Sequence, residues 1–320
     1  MTSNHFASAL TVTGLRKAYG DHVVLDGIDL DIPAGSIFAL LGANGAGKTT
    51  MVRIMSTLIR ADSGELRVGG HDVARDPDAV RALIGVTGQF SAVDHLLTGD
   101  ENLLLMADLH RLSRRDRRQR VAELLTRFDL VDAAKRTTAT YSGGMRRRLD
   151  LAMTLVGRPK VIFLDEPTTG LDPRSRRTMW DSIRRLVAED GVTIFLSTQY
   201  LAEADLLADR IAVLDKGKLV AHGTADELKR LVGGGHVTLR FADTGSYDRA
   251  ARALEVLSRN DDTLTLRISS QGDVKSVRSL LDWLDRDQSD VDDLRIHRPD
   301  LDDVFFALTG NPVVDQEPAR

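Results

Sequence analysis

Residues Gly42-Ala43-Asn44-Gly45-Ala46-Gly47-Lys48-Thr49 fit the pattern G-x-x-x-x-G-K-[ST]. No other stretch constrains the fold as much, because such a loop functions only between a buried strand and a helix. Its glycines let backbone N–H groups converge on phosphate oxygens at the positive end of a helix dipole. Ala43 and Ala46 keep the turn small. The flanks agree: Ser36–Leu41 is a short apolar run suited to a buried strand, and Thr49 to about Leu58 reads as a helix. Lys48 is placed to reach the β- and γ-phosphates of a nucleotide, and the Thr49 hydroxyl to ligate Mg²⁺.

Three later stretches complete the chemistry. Tyr141-Ser142-Gly143-Gly144-Met145 is a Ser-Gly-Gly turn at the start of a predicted helix. Val161-Ile162-Phe163-Leu164-Asp165-Glu166 is an apolar strand ending in adjacent carboxylates, and Ser197-Thr198-Gln199 stands at the tip of another apolar strand. Buried carboxylates are costly unless paired or bound to metal. At the carboxyl end of a parallel strand beside a phosphate loop, Asp165 suits a direct or water-mediated Mg²⁺ contact. Glu166 suits the general base that polarises an attacking water. Together the four stretches imply ATP binding and hydrolysis.

The 320 residues are enough for about two domains, and 42% hydrophobic content is enough for a substantial core. No window approaches the roughly 18 uninterrupted apolar residues of a membrane span. Met1 to Ala9 lacks the basic start and apolar run of a secretory signal, so a cytosolic protein, or one docked on a membrane through a partner, is expected. The absence of cysteine excludes disulfides and thiolate metal sites, and a net charge of −4 argues against nucleic acid as the main ligand.

Leu10–Ile32 reads as short strands around a tight turn at Tyr19-Gly20-Asp21. Further strand-like runs at Ile84–Val86, Val161–Leu164, Thr193–Leu196 and Ile211–Leu214 alternate with helical patterns, which predicts a parallel sheet with crossover helices. From Asp100 to Val156 the pattern is helix after helix, a helical insertion of about residues 98–156. Its run Arg114-Arg115-Asp116-Arg117-Arg118 reads as a solvated helix face. A break at Gly233-Gly234-Gly235 separates residues 9–232 from a C-terminal unit, 236–310. That unit is predicted as strand (Val237–Phe241), helix (Tyr247–Leu257), strand (Thr263–Ile268), helix (Val274–Leu284), strand (Val291–Ile296) and helix (Leu301–Leu308). A ferredoxin-like α/β unit accommodates this order. Residues 311–320 read as a disordered tail.

The set of motifs resembles the nucleotide-binding subunit of ATP-binding cassette (ABC) transporters, from about Leu10 to Leu231. The resemblance implies an α/β P-loop NTPase core with an antiparallel β subdomain and a helical insertion. It assigns nucleotide contacts to Tyr19 (stacking on adenine), Gly42, Asn44, Gly45, Ala46, Gly47, Lys48, Thr49 and Thr50. Ser142, Gly143 and Gly144 match the signature loop, which in that family binds the γ-phosphate held by a second subunit. Gln89 matches the glutamine that senses Mg²⁺ and the attacking water, alongside Thr49 and Asp165 as metal contacts. Asp172, in Gly170-Leu171-Asp172-Pro173, matches the loop that meets the partner subunit, and it also reads as a helix N-terminal acid.

One position departs from the family. Most members carry His where this chain has Gln199. An amide can donate a hydrogen bond to the γ-phosphate but cannot become cationic or relay a proton. Either hydrolysis tolerates the amide because Glu166 supplies the base, or turnover is slow and the subunit serves as a nucleotide-gated clamp. Thr87-Gly88-Gln89-Phe90, Leu196-Ser197-Thr198-Gln199-Tyr200-Leu201 and Arg298-Pro299-Asp300-Leu301-Asp302-Asp303-Val304-Phe305 are similar to the daunorubicin-resistance type. That type implies export of hydrophobic drugs, a homodimer sandwiching two ATP–Mg²⁺, a separate integral-membrane permease, and a peripheral place on the cytoplasmic face of the membrane. Loops around Phe90–Leu97 would pass the motion on; the C-terminal unit would stabilise the dimer or hold the membrane subunit, with Phe305 and Phe306 as candidate contacts, at least one of them expected in the helix core. The rival readings are an ATP-binding regulatory subunit with little turnover, and a soluble ABC ATPase of DNA repair or translation. The latter class generally carries paired cassettes, a coiled coil or a basic surface; this chain has one P-loop and no sustained heptads.

Overall fold

The computed structural model describes residues 8–89, 91–232, 235–270 and 274–310. Phe90, most of the Gly233–Gly235 break and the expected tail at 311–320 lie outside them. The chain divides into two compact units, Met1–Ala225 and Asp226–Arg320.

The first unit opens with β1 (Leu10–Tyr19) and β2 (His22–Ile32), an antiparallel hairpin closed at Gly20-Asp21, then β3 (Ile37–Leu41) and α1 (Lys48–Met55). Next come β4 (Ser63–Val68), β5 (His71–Asp72), α2 (Pro77–Leu83) and β6 (Ile84–Thr87). The insertion follows as α3 (Gly99–Leu109), α4 (Arg114–Arg127) and α5 (Gly143–Thr154). The unit ends with β7 (Val161–Asp165), α6 (Pro173–Asp190), β8 (Thr193–Thr198), α7 (Leu201–Leu207), β9 (Arg210–Asp215) and β10 (Lys218–Gly223).

The strands form two sheets, β2-β1-β4-β5 and β10-β9-β3-β8-β7-β6. In the second, β9, β3, β8, β7 and β6 run parallel and β10 is an antiparallel edge. Burial on both faces explains why β3, β7 and β8 read as unbroken apolar runs. Alternate residues serve opposite cores. Phe38, Phe163 and Phe195 pack with Met51 and Ile54 of α1 and with the antiparallel sheet, the rings of Phe38 and Phe195 stacking at 5.7 Å. Ile162, Leu164, Ile194 and Leu196 pack against the insertion and α6. In α4, Arg114, Arg115 and Arg118 are exposed and Arg117 pairs with Asp108.

The sequence reading lacked β4, β5 and β10. Each is short or mostly exposed, so none carries an apolar run. It also extended the P-loop helix to Leu58, whereas α1 ends at Met55 and Thr57 takes a left-handed φ of 65°.

α8 (Ala225–Lys229) begins at the last residue of the first unit, and the second unit continues with β11 (His236–Phe241), α9 (Thr244–Ala253), β12 (Val256–Asn260), β13 (Thr265–Ser269), α10 (Val274–Asp287), β14 (Val291–His297) and α11 (Leu301–Thr309). The sheet order β12-β13-β11-β14, all antiparallel, gives the ferredoxin-like β-α-β-β-α-β arrangement with a terminal helix. Val237, Leu239 and Phe241 alternate into its core against Tyr247, Leu280 and Leu284. The expected helix over Tyr247–Leu257 starts earlier, at Thr244, and ends at Ala253; the edge strand β12 that follows, with Leu257–Asn260 exposed, was not expected.

Candidate functional site

β3 delivers the phosphate loop between the ends of its neighbours. Leu41 pairs with Thr198 and Asp165 with Ser197, so the ends of β3, β8 and β7 lie side by side. Ligands in open α/β sheets gather at this carboxyl edge. Gly42 donates its N–H to the Thr198 carbonyl at 3.3 Å. A Cβ at Gly42 would fall 2.5 Å from the Leu214 carbonyl oxygen, and one at Gly47, where φ is 113°, would strike Val24 and Leu25 of β2. Both positions therefore demand glycine. No side chain caps α1, whose N-cap is Gly47, so its first-turn N–H groups and dipole suit an anion. Ala46 is buried, Asn44 and Gly45 are exposed, and Thr49 and Thr50 are half-buried.

Lys48 is 4% exposed, and its Nζ donates to the carbonyls of Gly42 (2.8 Å) and Ala43 (3.1 Å). It also lies 3.5 Å from Glu166 Oε1. Burial lowers the Lys48 pKa, and the carboxylates of Glu166 and Asp165 pull it back up.

Asp165 is buried and accepts from the Ser197 hydroxyl. Glu166 stands beyond the strand end with φ 49°, a left-handed backbone that costs a non-glycine residue about 1–3 kcal/mol and persists only where the surroundings impose it. Here they do. Glu166 N–H donates to the Ser197 carbonyl at 3.0 Å, and Thr169 Oγ1 lies 3.4 Å from Glu166 Oε2. Arg147 of α5 donates to the carbonyls of Pro167 (2.7 Å), Glu166 (3.3 Å) and Asp165 (3.4 Å). Behind the turn, the fully buried Glu203 of α7 accepts from Thr168 Oγ1 (2.8 Å) and Trp180 Nε1 (2.9 Å). Burial pushes its carboxyl up, with the Thr198, Thr168 and Trp180 donors pulling it back.

Arg147, Thr168 and Glu203 are the site residues that the sequence reading missed. Arg147 sits inside Arg146-Arg147-Arg148, which looks like a solvated run, and Glu203 resembles any acid in a first helical turn. The available signal was periodicity: Arg147 shares the buried face of α5 with Asp150 and Leu151.

The remaining predicted residues divide into two groups. Gln199 is half-buried and follows Thr198, which bonds the phosphate loop. Gln89 is exposed and follows β6, which pairs with β7. Tyr19 ends β1, 51% exposed, with Lys17 Nζ 5.4 Å from its ring centroid. The hairpin that carries it also presses Val24 and Leu25 on Gly47.

The second group stands at the starts of α5 and α6. Ser142 is exposed and caps α5, accepting from Met145 N–H at 3.2 Å. Gly143 is exposed, and Gly144 packs so closely on α6 that a Cβ would lie 2.5 Å from Ser175 Oγ. Asp172 caps α6, accepting from the N–H groups of Arg174 and Ser175 (3.0 Å each) and from Ser175 Oγ (2.6 Å). These bonds, the Ser175 hydroxyl foremost, hold its pKa down. Among the described residues no hydrogen bond joins Ser142, Gly143 or Gly144 to residues 42–49.

The donor set suits a phosphorylated nucleotide: an uncapped helix start, glycines that a Cβ could not replace, and a buried ammonium. The Thr49 hydroxyl and the Asp165 carboxylate are hard oxygen donors of the kind Mg²⁺ takes. The fold and this edge define a P-loop ATPase with an antiparallel β subdomain and a helical insertion. The ABC transporter family model matches residues 25–169. The chain is 47% identical to the daunorubicin resistance ATP-binding protein DrrA3 of Streptomyces coeruleorubidus over 95% of its length and 96% of that protein's. Identity is also 47% to the daunorubicin/doxorubicin resistance ATP-binding protein DrrA of Streptomyces peucetius, over 96% and 94% respectively. A solved ATP-binding cassette, dimeric in a post-hydrolysis state with ADP and Pi, superposes with a TM-score of 0.61 at 27% identity, covering 67% of this chain and 98% of that one. The chain belongs to the ATP-binding subunits of ABC transporters, of the daunorubicin-resistance type, and is an ATPase of that class.

Proposed function

We propose that the chain energises an exporter of a hydrophobic drug or antibiotic through a separate integral-membrane permease, at the cytoplasmic face of the membrane. Two copies close on two nucleotides. In each, the loop from Gly42 to Thr50 cradles the phosphates, Lys48 meets the β- and γ-phosphates, and Tyr19 stacks on adenine. Thr49, Asp165 and Gln89 hold Mg²⁺, which offsets phosphate charge. Glu166 orients and polarises the attacking water, and Gln199 donates a hydrogen bond to the γ-phosphate. Ser142, Gly143 and Gly144 of the other copy close over that phosphate, and Asp172 meets the facing subunit.

The observation that carries this reading is the Glu166 turn: a strained backbone held by Ser197 and Arg147, with its carboxylate 3.5 Å from the lysine of the phosphate loop. The exposure of Ser142 and Gly143 at the start of α5 supports completion in trans. The names of the two Streptomyces proteins above, both drug-resistance ATP-binding proteins, support export. The test is the Mg²⁺-dependent ATPase rate beside Glu166→Gln and Gln199→His variants. Wild type should turn over, and Glu166→Gln should abolish turnover and accumulate ATP-locked dimers. A wild type that binds ATP without turnover, with Gln199→His restoring it, would replace the engine by a nucleotide-gated clamp.

A further inference from the structure

We infer that Arg147 is a positioning residue that couples the two nucleotide sites of the dimer, carrying the state of the signature turn at one site into the hydrolytic turn at the other. The inference rests on the dimer reading above. In that arrangement the start of α5 touches the nucleotide of the facing copy, whereas Glu166 acts on the chain's own nucleotide. One side chain joins the two. Arg147 lies five residues beyond Ser142 on α5, 8% exposed, and its guanidinium binds three segments at once. It holds the Asp165–Pro167 carbonyls described above. Its Nη1 donates to the Gly88 carbonyl at 3.0 Å, immediately before Gln89, and to Asp150 at 3.1 Å.

Asp150, one turn further along α5, is equally buried, and its Oδ1 accepts from Ala92 N–H at 3.2 Å. The pair thus grips the Gln89 segment on both sides, at Gly88 and at Ala92. A buried ion pair seldom repays its desolvation, so burial alone does not account for it. Positioning does. Arginine's planar fork serves several carbonyls in fixed directions, which a lysine ammonium cannot. A tilt of α5, when Ser142 engages or releases the facing nucleotide, therefore shifts the Glu166 carbonyl and the Gln89 segment together. Displacements of about 1 Å cost catalysis about 100-fold.

The experiment compares wild type, Arg147→Lys and Asp150→Asn as full chains. It reads ATPase rate against ATP concentration, affinity for a fluorescent ATP analogue, and melting temperature. Wild type should hydrolyse ATP with a Hill coefficient above 1. Arg147→Lys should bind the analogue within about 2-fold of wild type, lose roughly 10- to 100-fold in kcat and fall to a Hill coefficient of 1. Asp150→Asn should lower the Hill coefficient as well, and it carries the test alone if Arg147→Lys does not fold. A Hill coefficient of 1 in wild type, or one unchanged in the variants, would overturn the coupling. Glu166→Gln with and without Arg147→Lys separates the layers. Absence of ATP-locked dimers from Glu166→Gln alone defeats the dimer reading, while dimers from both, with the Hill coefficient of the Arg147→Lys single variant equal to that of wild type, defeat only the coupling.

Discussion

Glu203 shows how a side chain that touches no phosphate bears on the site. It is fully buried behind the Glu166 turn, with donors from Thr168 and Trp180. Its folded pKa is raised above the unfolded 4.5, burial being the main cause. The sign follows. The folded state binds the proton more tightly, so its contribution to stability is full below the unfolded value and is lost as pH rises through the folded one. Glu203→Gln keeps an acceptor for Thr168 and removes the titration. The variant's melting temperature should gain on wild type from pH 5 to pH 8; a difference constant across that range would mean that the carboxyl titrates normally. At this scale the sequence was half legible. Gly42, Gly47, Lys48 and Asp165 announce themselves by residue type. The left-handed turn at Glu166 and the buried grip of Arg147 and Glu203 do not, because backbone φ and tertiary hydrogen bonds leave no mark on residue spacing.

At the scale of elements, the central strands were plain because burial on both faces demands unbroken apolar runs, whereas β4, β10 and β12 face solvent along much of their length. The start of α6 carries two readings at once. Asp172 caps the helix with two backbone bonds, and its partner Ser175 lies against Gly144 of the signature turn. Capping and partner contact separate by substitution. Asp172→Asn preserves the cap and should leave the melting temperature nearly unchanged. Asp172→Ala should lower it by about 2–4 °C. If both variants weaken ATP-locked dimerisation of the Glu166→Gln background equally, the carboxylate itself meets the facing subunit. If only Asp172→Ala does, its role ends at the cap.

For the whole molecule, the chain combines an ATPase unit with a ferredoxin-like unit that closes its own core, so each has internal reasons to fold. Among the described residues no helix is long and apolar enough to cross a membrane. Within α11, Phe305 is buried and Phe306 is 55% exposed, which resolves two candidate docking residues into one core residue and one surface residue. Phe306→Asp should keep stability within about 0.5 kcal/mol of wild type, as surface changes usually do. It should also keep the ATPase rate while reducing co-purification of the membrane subunit. Undiminished co-purification would remove Phe306 from the docking surface.

The amide at the end of β8 has a consequence beyond turnover. None of the groups gathered at the ends of β3, β7 and β8, from Lys48 to Asp165, Glu166, Ser197 and Gln199, is an imidazole. Histidine is the side chain whose ordinary titration falls near neutrality. The end of β8 therefore carries no imidazole switch. Gln199→His should introduce an inflection near pH 6.5 in kcat that wild type lacks. Acidification that would charge an imidazole at this position leaves the Gln199 amide unchanged.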